Sequence, residues 1–289
     1  MRPPANPWLE RRILNYAHQG GAREGPSSTL FAMRQAVSVG AQAIELDVHA
    51  TVDGHIVVCH DATVDATTDS SGAIADLTLP ELMALDNAYW FVPGEVRVEG
   101  RPPEEYVHRG KAPADPEFGI CTLEKVLREF PDVFLNFDIK QTGPVVRPYE
   151  EEVARVLRSF GRADDVIVAS FNDESINAFA AFAPEIHTSA GTLATYAFWA
   201  AVQSGSPTPD AVSGRVALQV PADFEGTVVV DAPFVERAHD AGLAVHVWTI
   251  DDPSEAARLV DLGVDAIMTD CPTPIATVLT DRAVAYSRP

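Results

Sequence analysis

Ala43-Ile44-Glu45-Leu46-Asp47-Val48-His49-Ala50-Thr51-Val52-Asp53-Gly54-His55-Ile56-Val57-Val58-Cys59-His60 is the stretch on which the fold turns. It holds two strand-like runs, with no room for a helix between Val48 and Ile56. Asp53-Gly54 is a strong turn signal, so these two strands are expected to join as a hairpin. Elsewhere in the 289-residue chain, strand-like runs alternate with helical ones. Apolar runs and period-two patterning place strands at 13–17, 43–48, 56–59, 133–139, 166–170, 185–189, 216–220, 244–249 and 266–269. Helical patterns at 29–39, 123–129, 150–160, 173–180, 233–241 and 253–262 separate most of them. Gly40, Gly161, Gly242 and Gly263 follow four of these, where helices commonly end. Repeated β-α units of this kind imply a parallel sheet covered by helices. One of the nine strand candidates is then surplus, and eight strands over roughly 250 residues fit a closed (β/α)8 barrel.

The chain is therefore expected to be one α/β domain over 1–289, with a barrel core at 12–280. Residues 62–119 are expected to form an insertion after the third strand-like segment. They hold a helical pattern at 79–85 and a tract rich in Pro, Gly and charge from Pro93 to Pro116. Long connections of this kind usually serve as lids or specificity loops. No run approaches the roughly 20 apolar residues of a membrane span. Met1 to Arg12 is Pro-rich and charged rather than signal-like, so a cytoplasmic protein without a stable membrane anchor is expected. Cys59, Cys121 and Cys271 are odd in number and scattered, which argues against a disulfide framework. The net charge of −21 argues against nucleic acid as the main partner. Nothing in the pattern points to a particular oligomeric state.

Side chains on a strand alternate faces, so Glu45 and Asp47 point the same way. Two adjacent carboxylates repel unless a cation lies between them, and a hard divalent metal with oxygen ligands is the usual answer. In a barrel the working groups sit at the carboxyl ends of strands. His18 ends the first strand, Glu45 and Asp47 the second, and His60 the third. Asp138 and Lys140 end the Phe134-Leu135-Asn136-Phe137-Asp138-Ile139-Lys140 strand on one face, and His246 and Trp248 share a face of a late strand. Glu45, Asp47 and Asp138 would hold Mg²⁺ or Ca²⁺. His18 and His60 would divide the proton transfers of phosphate-ester cleavage. Lys140 would neutralise charge on the phosphoryl oxygens, and Trp248 could pack against an apolar part of the substrate. A net charge of −21 opposes an anionic substrate, so the metal and Lys140 would have to reverse the field locally.

Each residue alone also has a structural reading: a hydrogen-bonded carboxylate network, a packed histidine, a Lys140–Asp138 ion pair, a core tryptophan. The chemical reading rests on all of them falling on one rim. His108-Arg109-Gly110 follows no apolar strand and is set aside. His49 reads as a residue behind the site. His55, His187 and His239 sit in no motif, and nothing marks Cys59 or Cys271 as an activated thiol.

These blocks resemble the glycerophosphodiester phosphodiesterases of the phospholipase-C-like superfamily. His18-Gln19-Gly20-Gly21 stands where that family opens with His-Arg-Gly, and Pro26-Ser27-Ser28-Thr29 where it prefers Pro-Glu-Asn-Thr. The 40–48 run, Asp53-Gly54, Val57-Val58-Cys59-His60-Asp61, Thr122-Leu123-Glu124, the 135–140 run, Val247-Trp248-Thr249 and the 263–270 run match in order. The resemblance runs from about Ile13 to Leu279. It implies a TIM-type barrel that hydrolyses glycerophosphodiesters, with metal help, to glycerol 3-phosphate and an alcohol. It also implies attack by the neighbouring glycerol hydroxyl and a cyclic phosphate that water then opens. By the same resemblance His18 and His60 are acid and base, Glu45, Asp47 and Asp138 bind metal, and Lys140 and position 19 meet substrate phosphate. Gln19 replaces the family's usual arginine, and Asp138 its usual glutamate. Arg23 and Arg109 are the candidates to restore the lost charge.

Two rival functions remain at this level. One is a lysophospholipase D-type enzyme, in which the apolar run 193–202, including Tyr196, Phe198 and Trp199, would touch lipid, although so short a run reads first as a buried barrel helix. The other is a non-catalytic barrel that binds a sugar phosphate, which retention of both histidines, three carboxylates and Lys140 disfavours.

Overall fold

A cylinder of parallel strands accounts for most of the buried apolar sequence in the computed structural model, which describes residues 6–96 and 98–287. The strands are β1 (Leu14–His18), β2 (Ala43–Ala50), β3 (Ile56–Val58), β4 (Phe134–Ile139), β5 (Val166–Ala169), β6 (His187–Thr188), β7 (Ala217–Pro221), β8 (Asp223–Phe224), β9 (Thr227–Val228), β10 (Ala244–Trp248) and β11 (Ala266–Thr269). Their order is β6-β5-β4-β2-β1-β11-β10-β7. The Val216 N–H to Thr188 and the Ala190 N–H to Ala217 bonds, 3.0 Å each, close β6 onto β7. The surplus strand is β3, which pairs antiparallel with β2 outside the cylinder. Gly54 makes the hairpin possible by adopting φ +85°, a conformation that costs a side-chain-bearing residue more.

Helices α1 (Pro7–Glu10), α2 (Leu30–Ser38), α3 (Leu79–Met83), α4 (Leu123–Glu129), α5 (Glu150–Ser159), α6 (Asp173–Phe182), α7 (Thr192–Ser204), α8 (Ala232–Asp240), α9 (Pro253–Leu262) and α10 (Pro272–Asp281) complete the chain. Most lie outside the cylinder, where Leu46, Phe137, Val168 and Val245 meet Val153, Phe179 and Leu259 in dry layers. Among the described residues no helix is long and apolar enough to cross a membrane. Residues 1–5 of the amino-terminal reading, and Arg97 within the 62–119 segment, lie outside the described residues. The pattern missed α10, whose Thr, Ile and Val content lowers helix propensity and whose Pro272 occupies the first turn. It also missed α1. There Trp8, fully buried, packs edge-on against Phe134 at 5.7 Å, and its indole N–H donates to His187 Nδ1 at 3.0 Å. That plug fills the amino-terminal end of the cylinder and leaves the other end open.

The 62–119 segment packs beside the barrel through Val64, Ile74 and Leu82 on Val57, and through Ala88 and Phe118 on Phe31. His108 lies between the Phe31, Phe91 and Phe118 rings. The Arg109 guanidinium covers Tyr106 at 3.5 Å and Tyr89 at 4.1 Å. His108 and Arg109 of the discarded tripeptide thus pack the segment together.

His246 lies wholly buried inside the cylinder, 3.4 Å from Gln219 Nε2. Burial depresses its imidazole to about 4, against a weak opposing pull from Asp265. The unfolded chain takes up a proton near pH 6.5 that the folded one refuses. Stability is therefore complete above that pH and declines as pH falls toward 4. Urea titrations at pH 7 and 4.5 should differ by about 2–3 kcal/mol from this residue, and His246→Gln should remove that part of the slope. Equal slopes in parent and variant would refute the assignment.

Candidate active site

Register delivers the candidate residues to the open end. Parallel pairing sets His18 beside Glu45, and Asp47 beside Asp138. The hairpin returns β3 along β2, so His60 emerges next to the same rim. His18, Glu45, Asp47, His60, Asp138, Lys140 and Trp248 all line one cavity of about 450 Å³. Among the described residues, none from 62–119 lines it.

The backbone after His18 turns sharply. Gln19 sits at φ +52°, unusual for a residue with a side chain, and Gly20 and Gly21 continue in the left-handed region. A Cβ on Gly21 would stand 3.0 Å from Pro272, so this turn needs glycine on both steric and conformational grounds. The turn aims the Gln19 N–H at Glu45 Oε2, 3.2 Å away. The Gln19 side chain accepts from Ser27 Oγ at 2.7 Å and does not line the cavity. As substrate contact the structure gives it no place; it buttresses Glu45. Neither proposed replacement cation lines the cavity either: Arg23 pairs with Asp251 at 3.2 Å, and Arg109 is held by its aromatic neighbours.

His18 Nδ1–H donates to Asp270 Oδ1 at 2.7 Å, while Nε2 stands 3.7 Å from Glu45 Oε2. Burial lowers the imidazole's proton affinity, but Glu45 and Asp270 outweigh it and raise the group to about 9. Burial, then the neighbouring Asp47 charge, raises Glu45 to about 8. Lys140 Nζ reaches Asp47 Oδ1 at 2.8 Å and Asp138 Oδ2 at 3.0 Å. Burial works against its charge, yet these carboxylates prevail and hold the amine protonated. Asp138 is raised by its own burial, with Lys140 opposing. His60 Nδ1–H donates to Asp61 at 2.7 Å at the solvent edge. His49 is buried behind it and its Nε2 lies 3.3 Å from the His60 carbonyl.

Lys140 meets one oxygen of each aspartate, and the other oxygens, Asp47 Oδ2 and Asp138 Oδ1, are buried without a hydrogen-bond partner. Such orphaned acceptors are costly. The donor chemistry, three buried carboxylates against one lysine, suits a hard divalent cation. As the side chains stand, no group of three His, Cys, Asp or Glu among the described residues converges on one ion.

Sequence reasoning missed Asp270, which orients His18, and Asp61, which does the same for His60. The signal for Asp270 was its place directly after the last strand, which a closed barrel returns to the first. It also missed Asn136 and Gln219, joined at 2.7 Å on the cavity wall, and the rim aromatics Phe171 and Phe224.

Residues 18–273 match the glycerophosphoryl diester phosphodiesterase family. A glycerophosphodiester phosphodiesterase of Caldanaerobacter subterraneus is 30% identical over 269 residues, 93% of this chain and 98% of the relative. The glycerophosphoryl diester phosphodiesterase domain of a Mycobacterium tuberculosis protein shares the fold at TM-score 0.75 and 22% identity, over 92% of this chain and 98% of its own. An Oleispira antarctica phosphodiesterase, solved with the product sn-glycerol-3-phosphate, does so at TM-score 0.67 and 23% identity, over 94% and 99%. Ordered strand-end residues, a closed eight-stranded barrel and a match across most of the sequence converge: the chain belongs to the glycerophosphoryl diester phosphodiesterase family and is by that membership a phosphoric diester hydrolase.

Proposed function

We propose that the chain hydrolyses glycerophosphodiesters to glycerol 3-phosphate and an alcohol, with His18 and His60 sharing the proton transfers. Mg²⁺ or Ca²⁺ would be held by Glu45, Asp47 and Asp138. One observation carries the reading: two histidines, each oriented through Nδ1 by its own carboxylate, line the same cavity as three acids and a lysine. The Oleispira relative carries the product that this reaction would release here.

In the first step the glycerol hydroxyl beside the phosphate attacks phosphorus, and the bond from phosphorus to the leaving alcohol oxygen breaks. One imidazole takes the hydroxyl proton and the other protonates the departing alkoxide. Water then opens the cyclic phosphate, with the two imidazoles in exchanged roles. Lys140, the lysine on the cavity wall, offsets charge on the phosphoryl oxygens. Asp270 and Asp61 fix which ring nitrogen of each histidine faces the cavity. A bound divalent cation supplies Lewis acidity and charge neutralisation at the acidic cluster.

EDTA treatment should abolish turnover of glycerophosphocholine, and Mg²⁺ or Ca²⁺ should restore it. Titration calorimetry should show one cation bound by the parent and a weakening of about tenfold or more in Asp47→Asn. Full activity in chelator would refute metal dependence.

A further inference from the structure

Asp251 and Asp252 follow β10 side by side but do different work. Asp252 caps α9 through the Ser254 and Glu255 N–H groups. Asp251 turns back toward β11. The Ile250 N–H donates to the Met268 carbonyl at 2.9 Å, which carries the β10–β11 pairing past the end of β10 and brings Asp251 beside Thr269 and Asp270. Asp251 Oδ1 accepts the Asp270 N–H at 2.8 Å and the hydroxyl of the fully buried Thr269 at 3.0 Å. The Asp270 carbonyl is gripped as well, by the Arg23 N–H at 3.1 Å. Arg23 closes a ring, since its Nε stands 3.2 Å from Asp251 Oδ2. Its carbonyl takes the Gly94 N–H at 2.8 Å, so the 62–119 segment fastens the ring from outside. With its N–H and carbonyl both held, Asp270 places its carboxylate 2.7 Å from His18 Nδ1.

We propose that Asp251 is a positioning residue for His18: by fixing Asp270 it fixes the orientation of the imidazole ring. β10, β11 and β1 are neighbours in the cylinder, so Asp251, Asp270 and His18 form a relay across three adjacent strand ends. Neither Asp251 nor Asp270 lines the cavity, so both act through the histidine. The β1–β11 ladder stops at Ala17 and Thr269, and the residues after His18 turn away in left-handed conformations. Restraint of the ring on the β11 side therefore falls to the Asp270 carboxylate and to whatever holds it. A misplacement of about 1 Å can lower a rate roughly a hundredfold, which makes that restraint a kinetic matter. The kinetic part of the inference rests on the phosphodiesterase reading above.

The test sets Asp251→Ala beside Asp251→Asn. Alanine leaves the Asp270 N–H and the Thr269 hydroxyl without their acceptor. It should lower kcat on glycerophosphocholine about tenfold or more, with KM within about twofold of the parent. Asparagine keeps an oxygen for both donors, and the half-exposed Arg23 guanidinium can swing into water. Its kcat should stay within about threefold of the parent. In an Asp270→Ala background, Asp251→Ala should change kcat by less than about twofold, because no carboxylate is left to aim. A readout independent of turnover is the downfield NMR signal of the His18 Nδ1–H, identified by its loss in His18→Ala. It should persist in Asp251→Asn and vanish in Asp251→Ala, whose circular dichroism should match the parent.

The same loss of kcat in both backgrounds overturns the inference, because Asp251 then acts on stability in general. So does an asparagine variant as slow as the alanine one, or an alanine variant with parental kcat and the signal intact. An Asp251→Ala protein that fails to fold also overturns it, by making the residue a structural one. A parent that turns over no glycerophosphodiester, with the NMR signal behaving as expected, overturns the phosphodiesterase reading and leaves the placement of the ring by Asp251 standing.

Discussion

His18→Ala should lower kcat on glycerophosphocholine by about a thousandfold or more while the protein stays folded. His18 is the better of the two histidines for this test because its geometry is the more constrained. Nδ1–H is committed to Asp270 at 2.7 Å, which leaves Nε2 to face Glu45 and the cavity. Among the described residues the one other imidazole on the cavity is His60, which has its own proton to move; His246 is sealed inside the barrel and His49 lies behind His60. The side chain ends a strand at the rim, so its loss opens little core and circular dichroism should be unchanged. Asp270→Asn is the companion experiment. It keeps the shape but weakens the grip on the ring's tautomer, and should reduce kcat by about a hundredfold or more with a downward shift of whichever limb of the pH profile His18 sets, because Asp270 helps to raise that imidazole. A structural role for Asp270 would change stability without moving that profile. Parent-level activity in His18→Ala would end the assignment.

Lys140→Met should be the most damaging single change to stability at the site. Its ammonium bridges Asp47 and Asp138, which are almost wholly buried, and removing one member of a buried ion cluster costs about 3–5 kcal/mol. The remaining carboxylates would be driven toward protonation, so the loss should shrink as pH falls. Saturating Mg²⁺ or Ca²⁺ should recover part of it if Glu45, Asp47 and Asp138 hold the ion. Activity should fall by about a hundredfold or more, since the cavity then lacks its lysine. Urea titration with and without metal, beside kcat, separates the two effects. A variant of parental stability in metal-free buffer would show that the cluster is not charged as described.

Much of the site was legible because strand ends are local features. Glu45 and Asp47, or Asp138 and Lys140, share a face by alternation alone, and Asp53-Gly54 announces the hairpin; which of the nine strands was surplus came only from the pairing that sets β3 outside the cylinder. The misses have physical causes. β8 and β9, two residues each, are too short to carry a period, so Phe224 was not recognised as part of the rim. Strand 185–189 shrank to His187–Thr188 because the Ile186 N–H is spent on a turn with Ala183. Tyr196 and Phe198, in one apolar run, ended on opposite sides of α7, one exposed and one fully buried.

What the sequence determined by itself was the set of β-α units, their order, and which side chains stand at strand ends. Alternation, turn chemistry and helix stops act over a few residues, so they survive without the rest of the chain. Only the closed cylinder decided who meets whom. Asp270 reaches His18 across 252 positions because β11 pairs with β1. Gln19 faces Ser27 and Glu45 instead of the cavity because a left-handed turn redirects it. Contacts of that kind depend on register and closure, which are properties of the whole sheet and of no single segment.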